Sequence, residues 1–275
     1  MAQTPPISPE MKAYCLDLLS EAVSASNRFF VRVHAAEALI THQRPEGLES
    51  LFTELQGASS DNFIGATRVL AKLNKPNPVK YKAAVQQILN VFLHAEASRP
   101  RLVALESLGK LGYSEPLLQI QQQAQEGTEG RKPMARWVLA NSGKADDEAH
   151  LAELLNSDDL LTYQYTAYAL RFRPTVHSDT YALLDACAAR VLPTAPQRVY
   201  VLSALFVHTP VEKQDRIRDQ FIRYQQGDVA ERYELAEALG LRGTSVDVPV
   251  LEKLLTDPDQ DVRVAAANAL LCINQ

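Results

Sequence analysis

The C-terminal stretch LLTDPDQDVRVAAANALLCINQ, residues 254–275, decides the fold of this chain. Its segment VRVAAANAL (262–270) is identical at seven of nine positions to VRVHAAEAL (31–39), close to the N-terminus. Two copies of one pattern so far apart indicate an internal repeat. A repeat of a few tens of residues is the sequence signature of solenoids, propellers and arrays.

Weaker copies of this pattern fill the chain between the two ends. Each copy closes on a leucine, with small or apolar residues four places and one place before it. A polar break follows the leucine, and then a second apolar helix. The unit is therefore a helix A, a turn and a helix B, and such units must stack because one hairpin cannot bury its own apolar faces. The closing leucines are Leu39, Leu70, Leu108, Leu139, Leu170, Leu205, Leu239 and Leu270.

The repeats predict an all-α fold, an α-solenoid or superhelix of about seven antiparallel helix pairs with end caps, in a single domain over residues 1–275. Residues 1–8 are predicted as an extended segment and residues 9–25 as an N-terminal capping helix, because Ser8 and Pro9 form a helix start. Residues 262–275 are predicted as a C-terminal half-repeat, whose helix A has no helix B after it. A closing cap, a longer natural chain and a docking edge for another subunit would each account for that.

The sequence TDPDQDVRVAAANALLCI (256–273) resembles the HEAT-like repeats of bacteria, including the short type shared with phycobilin lyases. The resemblance rests on the turn Asp257-Pro258-Asp259, the Val262-Arg263 start and the alanine-rich stripe that follows. The first copy matches in its helix, and the middle copies match in pattern only. The resemblance implies an α-solenoid with helices B on the concave side, and it implies no reaction.

Composition narrows the class of protein. The net charge of −5 argues against a nucleic-acid partner, since such binding depends on neutralising phosphates. Cys15, Cys187 and Cys272 lie far apart, which favours reduced thiols over a disulfide framework. The sequence has no run of eighteen apolar residues that would predict a membrane span, and no signal peptide is recognisable. We therefore expect a cytoplasmic protein, with removal of a targeting segment as the alternative.

Patterns that carry catalytic chemistry are missing from the sequence. It contains none of the common nucleotide, zinc-protease, hydrolase or paired-cysteine motifs. The helical-repeat hydroxylase that modifies a lysine derivative uses His-Glu pairs, and no His-Glu dipeptide occurs here. We therefore predict no catalytic residue, no cofactor and no metal site, and the oligomeric state stays open.

A cation recurs seven places before the closing leucine in six of eight copies. We expect a structural ladder, in which each cation reaches a carboxylate or a carbonyl of the adjacent repeat. A basic stripe for an anionic ligand is the alternative. The ladder residues are Arg32, Arg101, Lys132, Arg198, Arg232 and Arg263.

Aromatic residues and enlarged turns mark a candidate binding region. Aromatics with nearby arginines are the usual anchors of interfaces, and the turns 74–80, 172–179 and 207–213 lie on one predicted rim of the solenoid. The competing interpretation is that these side chains fill the core, or belong to a solvated face of compensating charges. The candidate partner-binding residues are Tyr163, Phe172, His177, Tyr181, Asp185, His208, Arg218 and Tyr224.

The favoured function is a non-catalytic scaffold or adaptor that binds a protein or peptide on its concave face and loop rim. One alternative is a small-molecule handler or lyase-like enzyme, which requires a polar groove with a perturbed carboxylate or histidine near His177, Asp185 or His208. The other is a regulatory repeat module of a larger polypeptide. Fold alone does not decide among them.

Overall fold

A computed structural model describes residues 7–24, 27–48, 51–52, 60–128 and 130–273. Within these ranges the regular structure is helical, without a strand, and the predicted all-α solenoid class is confirmed because the helices pack in adjacent pairs. The α-helices are α1 (Pro9–Ala22), α2 (Phe29–Thr41), α3 (Ser60–Leu73), α4 (Pro78–His94), α5 (Ser98–Lys110), α6 (Leu118–Glu126), α7 (Arg131–Ala140), α8 (Ala145–Ala152), α9 (Leu160–Arg171), α10 (Ser178–Arg190), α11 (Arg198–His208), α12 (Asp215–Phe221), α13 (Val229–Arg242), α14 (Val248–Leu254) and α15 (Gln260–Ile273).

The chain divides into two compact units. The first comprises Met1–Pro76 and Asp219–Gln275, and the second comprises Asn77–Arg218. The division into one domain over residues 1–275 stays a prediction. The predicted extended segment falls mostly on residues 1–6, and the last two residues of the predicted half-repeat are 274–275. Both lie outside the described residues.

The first unit joins the two ends of the chain. Helix α15 packs against α13 and α14 on one side and against α1 and α2 on the other. Its apolar stripe is buried, with Val262, Ala266 and Leu270 fully covered. Helix α15 is thus covered by the N-terminal helix pair α1 and α2.

Local signals explain where several helices begin and end. Helix α1 starts as predicted, because Pro9 occupies its first position and the Ser8 hydroxyl oxygen accepts the amide N–H of Met11 at 3.2 Å. Helices α5 and α7 end before glycines with a left-handed backbone, Gly112 (φ 71°) and Gly143 (φ 80°). Glycine is favoured there because it has no Cβ to clash.

In the second unit the helices A form a row. Helices α5, α7, α9 and α11 pack side by side in it. Gly109 of α5 allows a close approach, since a Cβ there would come within 2.5 Å of the Trp137 ring of α7. Trp137 is almost fully buried in this contact. None of the described helices has both the length and the apolar character needed to span a membrane.

Candidate interaction rim

Four loops of the second unit connect a helix A to the following helix B. They are residues 111–117, 141–144, 172–177 and 209–214, and together they are called the rim below. Two of the enlarged turns noted in the sequence, 172–179 and 207–213, fall largely within it. Binding residues concentrate on the loops of a rigid scaffold, so the rim is a candidate binding surface.

Side-chain amides and a guanidinium tie consecutive rim loops together. Asn141 Nδ2 donates to the carbonyl oxygens of Gly109, in the last turn of α5, at 3.1 Å and of Tyr113, in the preceding loop, at 3.3 Å. Arg173 Nη1 of the following loop donates to Asn141 Oδ1 at 3.2 Å. Three successive loops are therefore joined by hydrogen bonds between residues about one repeat apart.

A buried carboxylate organises the loop 172–177. Glu148 of α8 is 1% exposed, and its Oε1 accepts the backbone N–H of His177 at 2.7 Å and the hydroxyl of Thr180 at 2.9 Å. His177 Nδ1 lies 3.0 Å from the same oxygen, and Arg173 Nη2 lies 3.5 Å from Oε2. Burial disfavours the charged carboxylate, but the bonds from His177 and Thr180 outweigh it and hold the pKa of Glu148 below its usual value.

The loop 209–214 is fixed in the same way. His208 Nε2 donates to the carbonyl oxygen of Leu170 at 2.8 Å, across to the neighbouring helix A. Tyr181 Oη lies 3.2 Å from Thr209 Oγ1, and Tyr181 is the donor because the Thr209 hydroxyl already donates to the Leu205 carbonyl at 2.7 Å. The rim is therefore held by bonds between repeats, and those bonds include three predicted site residues: His177, Tyr181 and His208.

The outer side of the rim carries exposed groups. The His177 ring is 60% exposed although its Nδ1 faces Glu148, and Val211 is 52% exposed. Pro174, Thr175 and Pro210 are exposed beside them. The rim thus combines a rigid inner edge with a mixed apolar and polar outer edge.

The remaining candidate residues differ in how far they are buried. Tyr163 is 4% exposed, so it lies in the core and is no surface anchor, and burial raises the pKa of its hydroxyl. Arg218 is also mostly buried, with its side chain 12% exposed, bonded to Asp215 and 5.6 Å above the Phe206 ring. Asp185 stays accessible and pairs with Arg216 at 2.7 Å. Tyr224, in the first unit, is half-buried against Phe221.

Phe172 belongs to an aromatic cluster of the helices A. Its ring stacks on Trp137 at 5.3 Å and meets Tyr168 edge-on at 5.0 Å. Arg171 lies 4.5 Å and Lys110 lies 5.3 Å from its centroid. Cations of the chain itself therefore lie against the rings of this cluster, which favours the interpretation of Phe172 as a gap-filling residue.

The sequence reasoning missed Asn141, Glu148 and Arg173. Glu148 is one of three acidic residues in the first turn of α8, and no local pattern distinguishes it from Asp146 or Asp147. The one available signal was positional, since Asn141 and Arg173 follow their closing leucines by two and three places. Their partners lie 25 to 32 residues away.

Five of the six ladder cations donate to backbone carbonyls at the end of the preceding helix or in the turn after it. The sixth ladder cation, Lys132, is half-buried. Arg232 adds a carboxylate, with Nε 2.6 Å from Asp257 Oδ2. The carbonyl partners are Val23 for Arg32 (3.0 Å), Ala95 for Arg101 (2.6 Å), Ala188 for Arg198 (2.7 Å), Gly227 for Arg232 (2.6 Å) and Asp257 for Arg263 (2.6 Å).

Among the residues that the structure describes, no group of three or more His, Cys, Asp or Glu side chains could hold a metal ion. Cys15 and Cys187 are buried, and all three cysteines are unpaired.

The family model of the HEAT repeat matches residues 248–275, which span α14, the Asp-Pro-Asp turn and α15. The HEAT-like resemblance seen in the sequence is confirmed there, and the chain carries a HEAT repeat at this end. The match covers a helix B, α14, followed by a helix A, α15.

Comparison with solved structures finds further helical proteins. Human deoxyhypusine hydroxylase in complex with glycerol is 16% identical over 96% of this chain and 97% of that chain, with a TM-score of 0.44. An engineered protein is 19% identical over 95% of this chain and 78% of that chain, with a TM-score of 0.35. No curated protein matches the chain significantly. No residue role is transferred from these likenesses.

Proposed function

We propose that this chain is a non-catalytic cytoplasmic scaffold that binds a protein or a peptide through the rim and the exposed sides of the adjoining helices B. A stack of helical repeats offers an extended surface on which each repeat adds area. The HEAT repeat at residues 248–275 supports this class of function, and unpaired cysteines are compatible with a reducing compartment.

The observation that carries the proposal is the hydrogen bonding between rim loops. Loops that are already ordered lose less conformational freedom on binding, so more of the contact energy appears as affinity. The bonds of Asn141, Arg173 and His208 hold the loops from within. Val211 and the His177 ring face outward and supply apolar and hydrogen-bonding contacts.

The exposed sides of α10 and α12 add charged side chains to this surface. Asp185 and Arg216 form an ion pair whose side chains are 45% and 68% exposed. Such a pair contributes little to stability, because solvent screens it. Either side chain can therefore exchange its partner for a charge on a bound polypeptide at small cost.

The test is affinity capture from the native host with three forms of the protein. The rim variant combines His177→Ser with Val211→Ser. The matched control combines Leu160→Ser with Leu192→Ser. Leu160 is the first residue of α9 and is 60% exposed, and Leu192 lies in the turn after α10 and is 69% exposed. We expect one protein to be retained by the wild type and the control and lost from the rim variant. Equal retention by all three forms, or a small molecule with no protein, would contradict the proposal.

A further inference from the structure

A cavity of about 320 Å³ lies between the first and the last helix of the first unit. Its size is at the lower end of the range that holds small ligands or single long side chains. It is unrelated to the rim residues and to the function proposed for them. The lining residues are Tyr14, Asp17, Leu18 and Glu21 of α1 and Gln260 and Arg263 of α15.

Helix α1 turns one stripe of side chains toward this cavity. Tyr14, Asp17, Leu18 and Glu21 recur at helical spacings of three and four residues, so they lie on the same face. Asp17 and Glu21 are four apart and carry like charges, which repel each other on a helix surface. Neither carboxylate forms an ion pair or a side-chain hydrogen bond with another described residue, so their charge is not neutralised from within that part of the chain.

The positive group in the opposite wall is held in place. Arg263 Nη1 donates to the carbonyl oxygens of Asp257 at 2.6 Å and of Pro258 at 3.3 Å. These bonds fix the guanidinium on the turn before α15. The side chains of Asp17 and Glu21 are exposed and pair with no cation among the described residues, so they are available to a cation that enters from outside.

The other lining groups fit a cation on an aliphatic stem. Tyr14 is 50% exposed, and the face of an aromatic ring attracts an ammonium or guanidinium group. Leu18 offers an apolar contact for methylene groups. Gln260 and Arg263 present donors suited to the carbonyl oxygens of a peptide backbone.

From this combination we propose that the cavity binds a lysine or arginine side chain of a partner polypeptide. The basic head group lies between Asp17 and Glu21, its stem packs on Leu18 and Tyr14, and its backbone faces Gln260 and Arg263. The occupant is a polypeptide and not a free amine, because only a peptide uses both walls of the cavity.

The test is an NMR titration of the isotopically labelled full chain with three probes. The first is an acetylated, amidated pentapeptide, Gly-Ser-Lys-Ser-Gly. The second has norleucine in place of lysine, and the third is 1,5-diaminopentane. We expect the lysine peptide to bind about tenfold more tightly than the norleucine peptide, with shifts confined to residues 14–21 and 260–263. Equal binding of the two peptides, absence of binding, or shifts elsewhere would overturn the proposal. Tighter binding of the diamine would overturn the assignment to a polypeptide.

Two variants locate the charge recognition. Asp17→Asn with Glu21→Gln should weaken the lysine peptide about tenfold and leave the norleucine peptide unchanged. The control, Glu153→Gln with Glu252→Gln, removes the same net charge at two exposed positions outside the cavity. An equal loss in both variants would show only a general effect of charge. The peptide comparison on the wild type stands even where a variant folds poorly.

Discussion

Arg28 and Asp259, 231 positions apart in the chain, form an ion pair in which Arg28 Nη2 lies 2.9 Å from Oδ1 and 2.8 Å from Oδ2. The same Asp259 carboxylate accepts the backbone N–H of Asp261 at 2.8 Å and so caps the start of α15. Nearby, His34 Nδ1 lies 2.8 Å from Asp261 Oδ1. Asp259 of the turn and Asp261 of the first turn of α15 thus bind Arg28, just before α2, and His34 of α2.

Removal of the cap at Asp259 should destabilise the protein more than removal of the ion pair. We expect Asp259→Ala to lower the free energy of unfolding by about 1–2 kcal/mol, because the helix loses its N-cap. Arg28→Ala should lower it by less than about 1 kcal/mol, because the Arg28 side chain is 66% exposed. Urea unfolding of both variants and of Asp259→Asn, which keeps a capping oxygen, checks this order. A loss at Arg28→Ala as large as at Asp259→Ala would show that the ion pair dominates.

Acid should weaken the protein partly through Glu148. The pKa of this carboxyl is lowered in the folded state, so its contribution is complete above the unfolded value of about 4.3 and disappears as the pH falls through the folded value. We expect Glu148→Gln to be about 1–2 kcal/mol less stable at pH 7 and to lose less stability than the wild type below about pH 5.

Thermal unfolding across this pH range measures the difference between the two proteins. Asp159 and Asp259 also have lowered pKa values, but they are present in both proteins and cancel in the comparison. Parallel pH profiles would mean that Glu148 is not the source of the acid sensitivity.

The ladder cations should stabilise the junction between a helix B and the next helix A. Arg198→Ala removes the donor to the Ala188 and Val191 carbonyls at the end of α10. We expect a loss of about 1.5–3 kcal/mol, as for hydrogen bonds that involve a charged group. Lys132→Ala is the comparison, since no hydrogen bond from Lys132 to a described residue is seen, and it should change stability much less. An unchanged urea midpoint for Arg198→Ala would reject the structural account of the ladder.

Gly109 should not tolerate a side chain. Alanine favours a helix over glycine by about 1 kcal/mol, but its Cβ would come within 2.5 Å of Trp137 Cε3. Overpacking of about 1–3 kcal/mol should outweigh the gain. Gly65→Ala is the control, because its nearest contacts are side-chain atoms of Phe29 and Val33 at 3.2 Å.

Trp137 is the one tryptophan in the chain, so its fluorescence follows unfolding and reports on the altered contact. A more stable Gly109→Ala, or a larger loss at Gly65→Ala, would contradict the packing.

The sequence predicted the fold where the determining signals are local or periodic. Helical spacing, a leucine closing each copy and the Ser8-Pro9 start are all visible within one repeat. The ladder arginines recur at one repeat position, and their carbonyl partners lie 5 to 10 residues earlier in the chain.

Contacts between distant parts of the chain could not be predicted in this way. Helix α1 covers α15 although the two helices lie more than two hundred positions apart in the chain. No sequence pattern in either helix identifies the other as its packing partner. Glu148 and Asn141 have partners about one repeat away, and their residue types are common on exposed helix ends. Burial of a single side chain depends on packing that the repeat pattern does not specify, so the sequence could not distinguish Tyr163 and Arg218 from surface anchors.

Photocrosslinking from a single rim position tests the central claim most directly. A photoreactive phenylalanine analogue would replace Val211 in one form of the protein and Leu192 in another. Both positions are exposed and apolar, at 52% and 69%, and Leu192 follows the end of α10 remote from the rim. The proposed function predicts that a defined polypeptide is crosslinked at 211 and not at 192. The same crosslinks at both positions, or none at 211, would contradict it.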